Sequence, residues 1–196
     1  AELDFFVQQI KSNRKTTDFE SDKIYKYALK VLEDRKLKDY PKGECFQITL
    51  IVFKYLKKEI DENIELAYLK QFVENGGVFK IIWGQQRNIY FQTAMQFGSY
   101  YVDVANDTTI VTKPKVEITL LNDSKFYNIK SLKEYCKIKE IYHNAKVYPN
   151  VYYPELALAL PFVFEEEGKL IMKVKRNLHN QILSPDASKI KQFFQY

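Results

Sequence analysis

Only two cysteines, Cys45 and Cys136, occur in 196 residues, and one bridge between them is no disulfide framework for a chain of this size. Both read as reduced thiols. There is no Cys-x-x-Cys, and the two histidines, His143 and His179, fall in unrelated segments, so the ligand spacing of a zinc site is missing and no metal or cofactor is expected. Six glycines and six prolines, thinly spread, exclude collagen-like and linker-rich chains. The longest strongly apolar stretch without a charge, residues 45–53, is far shorter than the ~20 residues that cross a bilayer. Residues 1–14 alternate acidic, aromatic and polar side chains where a secretory signal has a basic start and an apolar block. The expectation is a cytoplasmic protein that does not engage membrane. A glycine-rich phosphate loop, Gly-x-Ser-x-Gly and His-Glu-x-x-His are all absent.

What is present is a core. The hydrophobic fraction of 46% lies in the globular range, and the length suits one domain spanning residues 1–196. Thirty basic residues are offset by 25 interspersed acidic ones, leaving a formal charge of +5 that permits an anionic partner without requiring one.

Leu3, Phe6, Val7 and Ile10 recur at helical spacing, which predicts an amphipathic helix over residues 1–14. Thr17-Asp18-Phe19-Glu20 has the pattern of a capping box and predicts a second helix, with Ile24, Tyr27, Ala28, Val31 and Leu32 on its apolar stripe. Pro41-Lys42-Gly43 breaks the chain before a helix that starts near Cys45 and is apolar on nearly every side, as a central helix would be. Beyond Ile64, β-branched and aromatic runs at residues 78–83, 89–97, 100–104 and 116–121 read as antiparallel strands. Gly76-Gly77, Gly84, Gly98-Ser99 and Asn106-Asp107 are the expected turns. A short helix is expected over residues 131–137, a strand around residues 169–175 and a last helix after Ser184-Pro185-Asp186. Helices first and a sheet afterwards make this an α+β fold: N-terminal helices, then a central Cys-bearing helix packed on an antiparallel β-sheet.

Gly43-Glu44-Cys45 stands where the free amides and dipole of a helix N-terminus favour a thiolate, the nucleophilic form of cysteine. The plain alternative is a small apolar residue buried on a helix. Gly-x-Cys opening an apolar helix, then strands, a glycine turn and Tyr100-Tyr101-Val102-Asp103, together resemble the core of the transglutaminase-like superfamily, whose fold is related to papain-like cysteine proteases. The resemblance covers residues 42–107. It implies Cys45 as nucleophile and Asp103 as the acid that orients a base. The base itself departs from the pattern: Asn88-Ile89-Tyr90 stands where a sequence like His-Ala-Trp is expected, and asparagine takes no thiol proton at neutral pH. Gln92 is a further polar residue for the same pocket, or simply a side chain on a half-exposed strand. His143 follows Asp103, contrary to the family's Cys, His, Asp order, and reads with His179 as an ordinary surface or loop histidine.

Lys169, Lys173, Lys175 and Arg176 would cluster along one strand as a nucleic-acid contact, although Glu165-Glu166-Glu167 beside them dilutes the field. Two functions follow. The first is a transglutaminase-like domain without a complete triad, acting as a binding module for a protein, peptide or nucleic acid. The second is an amide hydrolase, deamidase or acyltransferase in which Cys45 forms an acyl-enzyme.

Overall fold

The computed structural model describes residues 2–31, 40–156, 160, 162–166 and 168–172. The chain forms two compact units, Ala1–Trp83 with Gln92–Phe126, and Gly84–Phe91 with Tyr127–Tyr196. It is α+β. Among the described residues, no helix is long and apolar enough to cross a membrane.

The first unit opens on helix α1, Glu2–Val31, which is one continuous helix where two were expected. Thr17 explains the difference. Its hydroxyl donates to the carbonyl of Asn13 at 2.8 Å, one turn back, and Thr16 does the same to Ser12 at 3.2 Å. A threonine satisfied this way continues a helix instead of capping a new one.

A tight turn through Gly43, whose φ of 78° suits glycine, leads into α2, Cys45–Glu62. Ile48, Thr49, Val52, Leu56 and Ile60 are its buried face, while Phe46 stays 43% exposed. The helix is thus amphipathic, not buried all round. Its inner face packs with Phe6 and Ile10 of α1, with Met95, Phe97 and Val102 from the strands and with Val104 just past β3.

A short 3-10 turn, Ile64–Leu66, precedes α3, Ala67–Glu74. Gly76 and Gly77, expected as a hairpin turn, close this helix instead. The Gly77 amide donates to Phe72 O at 2.8 Å and the Gly76 amide to Val73 O at 3.1 Å, a Schellman pairing with Gly76 at φ 86°. A β-carbon on Gly77 would lie 2.4 Å from the Phe72 ring, which packs on Phe97 with ring centres 5.4 Å apart. Gly77→Ala is therefore expected to destabilise the fold by about 1–2 kcal/mol, measured as a shift in the urea midpoint. An unchanged midpoint would mean the ring swings away freely.

The strands follow as β1 (Phe79–Gln86), β2 (Tyr90–Phe97), β3 (Tyr100–Asp103), β4 (Glu117–Leu120) and β5 (Phe126–Tyr127), in the sheet order β4-β3-β2-β1-β5. Gly84 lies within β1, not between strands. The turn after β1 falls at Arg87 and Asn88, with φ of 57° and 59°. Two successive left-handed residues make the two-residue turn whose twist matches that of a hairpin. Gly98-Ser99 forms the next turn, as expected, because Phe97 pairs with Tyr100. A 3-10 turn, Asn106–Thr108, lies between β3 and β4.

The second unit contains α4, Leu132–His143, longer than expected and capped by Ser131, whose hydroxyl accepts from the Glu134 amide at 3.2 Å. An antiparallel sheet follows, β6 (Lys146–Pro149), β7 (Phe162–Glu166) and β8 (Lys169–Met172), in that order. Tyr135 of α4 stacks on Phe162 with ring centres 4.6 Å apart. The last helix expected after Ser184 lies outside the described residues.

Candidate functional site

Cys45 is the first residue of α2, and Glu44 before it provides no side-chain cap. Its thiol donates to Thr93 Oγ1 at 3.9 Å, and one turn on Thr49 donates to Thr93 O at 3.0 Å. Strand β2 is thereby fastened along the start of the helix. Burial pushes the Cys45 thiol above its ordinary value; hydrogen bonding with Thr93 acts the other way, and the negative charge of Asp103 adds to the rise. The helix amides do not prevail over desolvation.

Asp103 ends β3 and is wholly buried. Three donors converge on its carboxylate: Gln92 Nε2 at 2.6 Å and Tyr101 OH at 3.1 Å on Oδ2, and the Ala105 amide at 2.8 Å on Oδ1. Burial lifts its pKa to about 6, against the pull of those donors and with the help of the charge on Glu117. Gln92 also donates to Ala105 O at 3.1 Å.

The two candidate catalytic side chains belong to different faces of one sheet. Side chains alternate along a strand, so Tyr101 and Asp103 share a face while Val102 and Val104 take the other. Tyr101 is buried with Ala94 and Phe126, whereas Val102 and Val104 are buried with the inner face of α2, where Cys45 also packs. The pairing agrees: Met95 lies opposite Val102, so one step further Ala94 lies opposite Asp103. Cys45 meets Thr93 on one side, and the carboxylate of Asp103 is engaged on the other.

No protein-family model, curated protein or solved structure matches this chain.

Asn88, the residue standing for the base, is exposed at the hairpin turn in the second unit, while Cys45 and Asp103 are in the first. Gln92, not Asn88, bonds the acid. His143 ends α4, with its ring 4.5 Å from Tyr142 and 6.3 Å from Phe91 between centres. His179 lies outside the described residues. So do Lys173, Lys175 and Arg176 of the expected basic strand; Lys169 opens β8 and is exposed. Cys45 and Cys136 are both free thiols. Among the described residues, no three of His, Cys, Asp and Glu are grouped to hold a metal ion.

A second polar cluster is built around Arg14. Arg14 is 1% exposed and grips Asp107 with both ends of its guanidinium, at 2.9 and 3.3 Å, while Nη2 also reaches Asp18 at 2.8 Å. Tyr40 donates to Asp18 at 2.6 Å, and Lys115 pairs with Asp18 from outside. Burial works to lower the Arg14 pKa, but the bond and charge of Asp107 and the charge of Asp18 outweigh it, so the cation is held. Burial, then Asp18, pushes Tyr40 up to about 12. Because Asp107 and Thr108 share one turn and the Gly43 amide donates to Thr108 O at 3.2 Å, this cluster braces the backbone just ahead of Cys45.

Proposed function

We propose that this chain is a non-catalytic binding module, an α+β domain with the Cys, strand, Asp order of transglutaminase-like proteins but without a working triad. The observation that carries this reading is the placement of Cys45 and Asp103 on opposite sheet faces, with Thr93 facing the thiol. A threonine hydroxyl is no base at neutral pH, and a carboxylate engaged by three donors on the other side of the sheet is not aimed at a base for the thiol. A protein partner suits the described surface better than a nucleic acid. Ile64, Tyr68, Val151 and Tyr152 are 88%, 77%, 62% and 64% exposed, and single apolar anchors of this kind seat in protein pockets. Lys146, by contrast, is paired with Glu165 at 2.9 Å, which neutralises it as a phosphate contact.

The thiol supplies the test. Its alkylation rate is expected to stay below that of free cysteine at pH 7 and to climb only above the ordinary thiol range, ~8.5, because the thiolate is disfavoured by burial. Cys45→Ala and Cys136→Ala assign the signal; Cys136, pushed up to about 12 by burial and then Glu140, should stay silent. Fast alkylation of Cys45 persisting below pH 7 would overturn the reading and favour the hydrolase or acyltransferase.

A further inference from the structure

Asn75-Gly76 is the one Asn-Gly pair in the chain, and it lies where α3 ends. In such a pair the glycine nitrogen can attack the asparagine side-chain amide, because no β-carbon on the glycine shields it. Two observations bear on that attack. Asn75 is exposed, and a β-carbon built on Gly76 would meet nothing within 4 Å, so a ring formed there has room and water can reach it. The native backbone, however, holds the reacting atoms apart. A five-membered ring closes only when the Gly76 nitrogen is nearly eclipsed with the Asn75 β-carbon about the Cα–C bond. At the observed ψ of 15° it is nearly eclipsed with the Asn75 nitrogen instead. The same Gly76 nitrogen donates to Val73 O at 3.1 Å, and the next amide, of Gly77, donates to Phe72 O at 2.8 Å, so the peptide cannot turn while the helix cap is closed.

We propose that Asn75 is a self-modification site, converted through a cyclic imide to aspartate and isoaspartate, and that the C-terminal cap of α3 is the lock that sets its rate. The Gly76 nitrogen gives its proton to water and bonds to Asn75 Cγ, the Cγ–Nδ2 bond breaks, and Nδ2 leaves as ammonia. Water then opens the ring. Attack at Cγ yields aspartate, while attack at the backbone carbonyl of Asn75 leaves the main chain running through Cβ and Cγ, one atom longer. Either product works against the cap. A new carboxylate stands at the negative end of α3, next to Glu74, and the longer isoaspartate link displaces the Gly77 amide from Phe72 O. The lock is a local one: no residue of α3 is fully buried, so its last turn opens without unfolding the core.

The experiment is mass mapping of the tryptic peptide that contains Asn75, after the whole chain has been incubated at mildly alkaline pH in buffer, in urea below the unfolding midpoint and in fully denaturing urea. Exchange of the side-chain amide for a carboxylate registers as a gain in mass. In denaturing urea Asn75 is expected to convert faster than Asn122, which is exposed in the fold but followed by aspartate. In buffer the conversion should be at least ~10-fold slower, because it waits on the opening of the cap. Below the midpoint the rate should stay nearly flat, since urea acts in proportion to the surface exposed and a local opening exposes little. Three results overturn the proposal. A rate in denaturing urea no greater than that of Asn122 removes the reactive pair, and a rate in buffer within about twofold of the denatured one removes the lock. A rate that climbs below the midpoint in step with the unfolded fraction assigns the protection to the whole fold and not to the cap of α3.

Discussion

Replacing Arg14 with methionine is expected to destabilise the protein by about 3–5 kcal/mol, because it leaves a carboxylate buried without its cation. Arg14 and Asp107 are 1% and 5% exposed, and the pair is held by two hydrogen bonds, so solvent screens it little. The size of the loss comes from the partner left behind. An isolated buried charge either drags water inward or must take up a proton, and both are costly. Removing the second partner as well separates this penalty from the net worth of the pair: Arg14→Met with Asp107→Leu should recover most of the loss, since an apolar pair of similar volume often replaces a buried ion pair without penalty. Urea unfolding of the two single variants and the double variant measures the coupling. A loss below ~1 kcal/mol for Arg14→Met would mean that the guanidinium is solvated and the brace at residues 106–108 is not built on it.

Leu56→Ala should cost about 2–5 kcal/mol for a different reason, the cavity left under a well-packed helix. Leu56 is 0% exposed and lies in the same cluster as Val52, Ile60, Phe6 and Ile10, so neighbours from two helices would have to collapse into the gap. Ile64 is the built-in control. At 88% exposure it gives up no packing, and Ile64→Ala should change the midpoint by no more than about 0.5 kcal/mol. If the two substitutions cost the same, α2 is not packed on α1 and the sheet in the way described.

Arg14 was in fact marked in the sequence by its position. Phe6, Ile10 and Arg14 follow at intervals of four, and all three are buried to 2% or less, so the arginine sits on the apolar stripe of its own helix. A cation on such a stripe needs a buried anion. Which of 25 acidic residues supplies it was not legible, since Asp107 lies 93 residues away and only the folding of the β3–β4 connection brings it there.

The α+β class, the start of α2 at Cys45, the hairpin through Gly98 and the approximate extents of β1 to β4 were determined by the sequence itself, because each depends on residues close together in the chain. Runs of β-branched and aromatic residues set strands, glycine permits the turn, and a break at Pro41-Lys42-Gly43 frees a helix to begin. Side-chain alternation along β3 sets Asp103 on the face of Tyr101. What only the tertiary structure decided was which face α2 covers. Apolar residues line both sides of β3 and its end, Tyr101 on one and Val102, followed by Val104, on the other, so either side was a fit for the helix. Packing chose the valines, which complete a cluster with Ile48, Val52 and Leu56, and that choice put the thiol and the carboxylate on opposite sides of the sheet. A motif read along the chain records order and spacing. It does not record the side of the sheet on which a neighbouring helix settles, because that is decided by burial summed over residues distant in sequence.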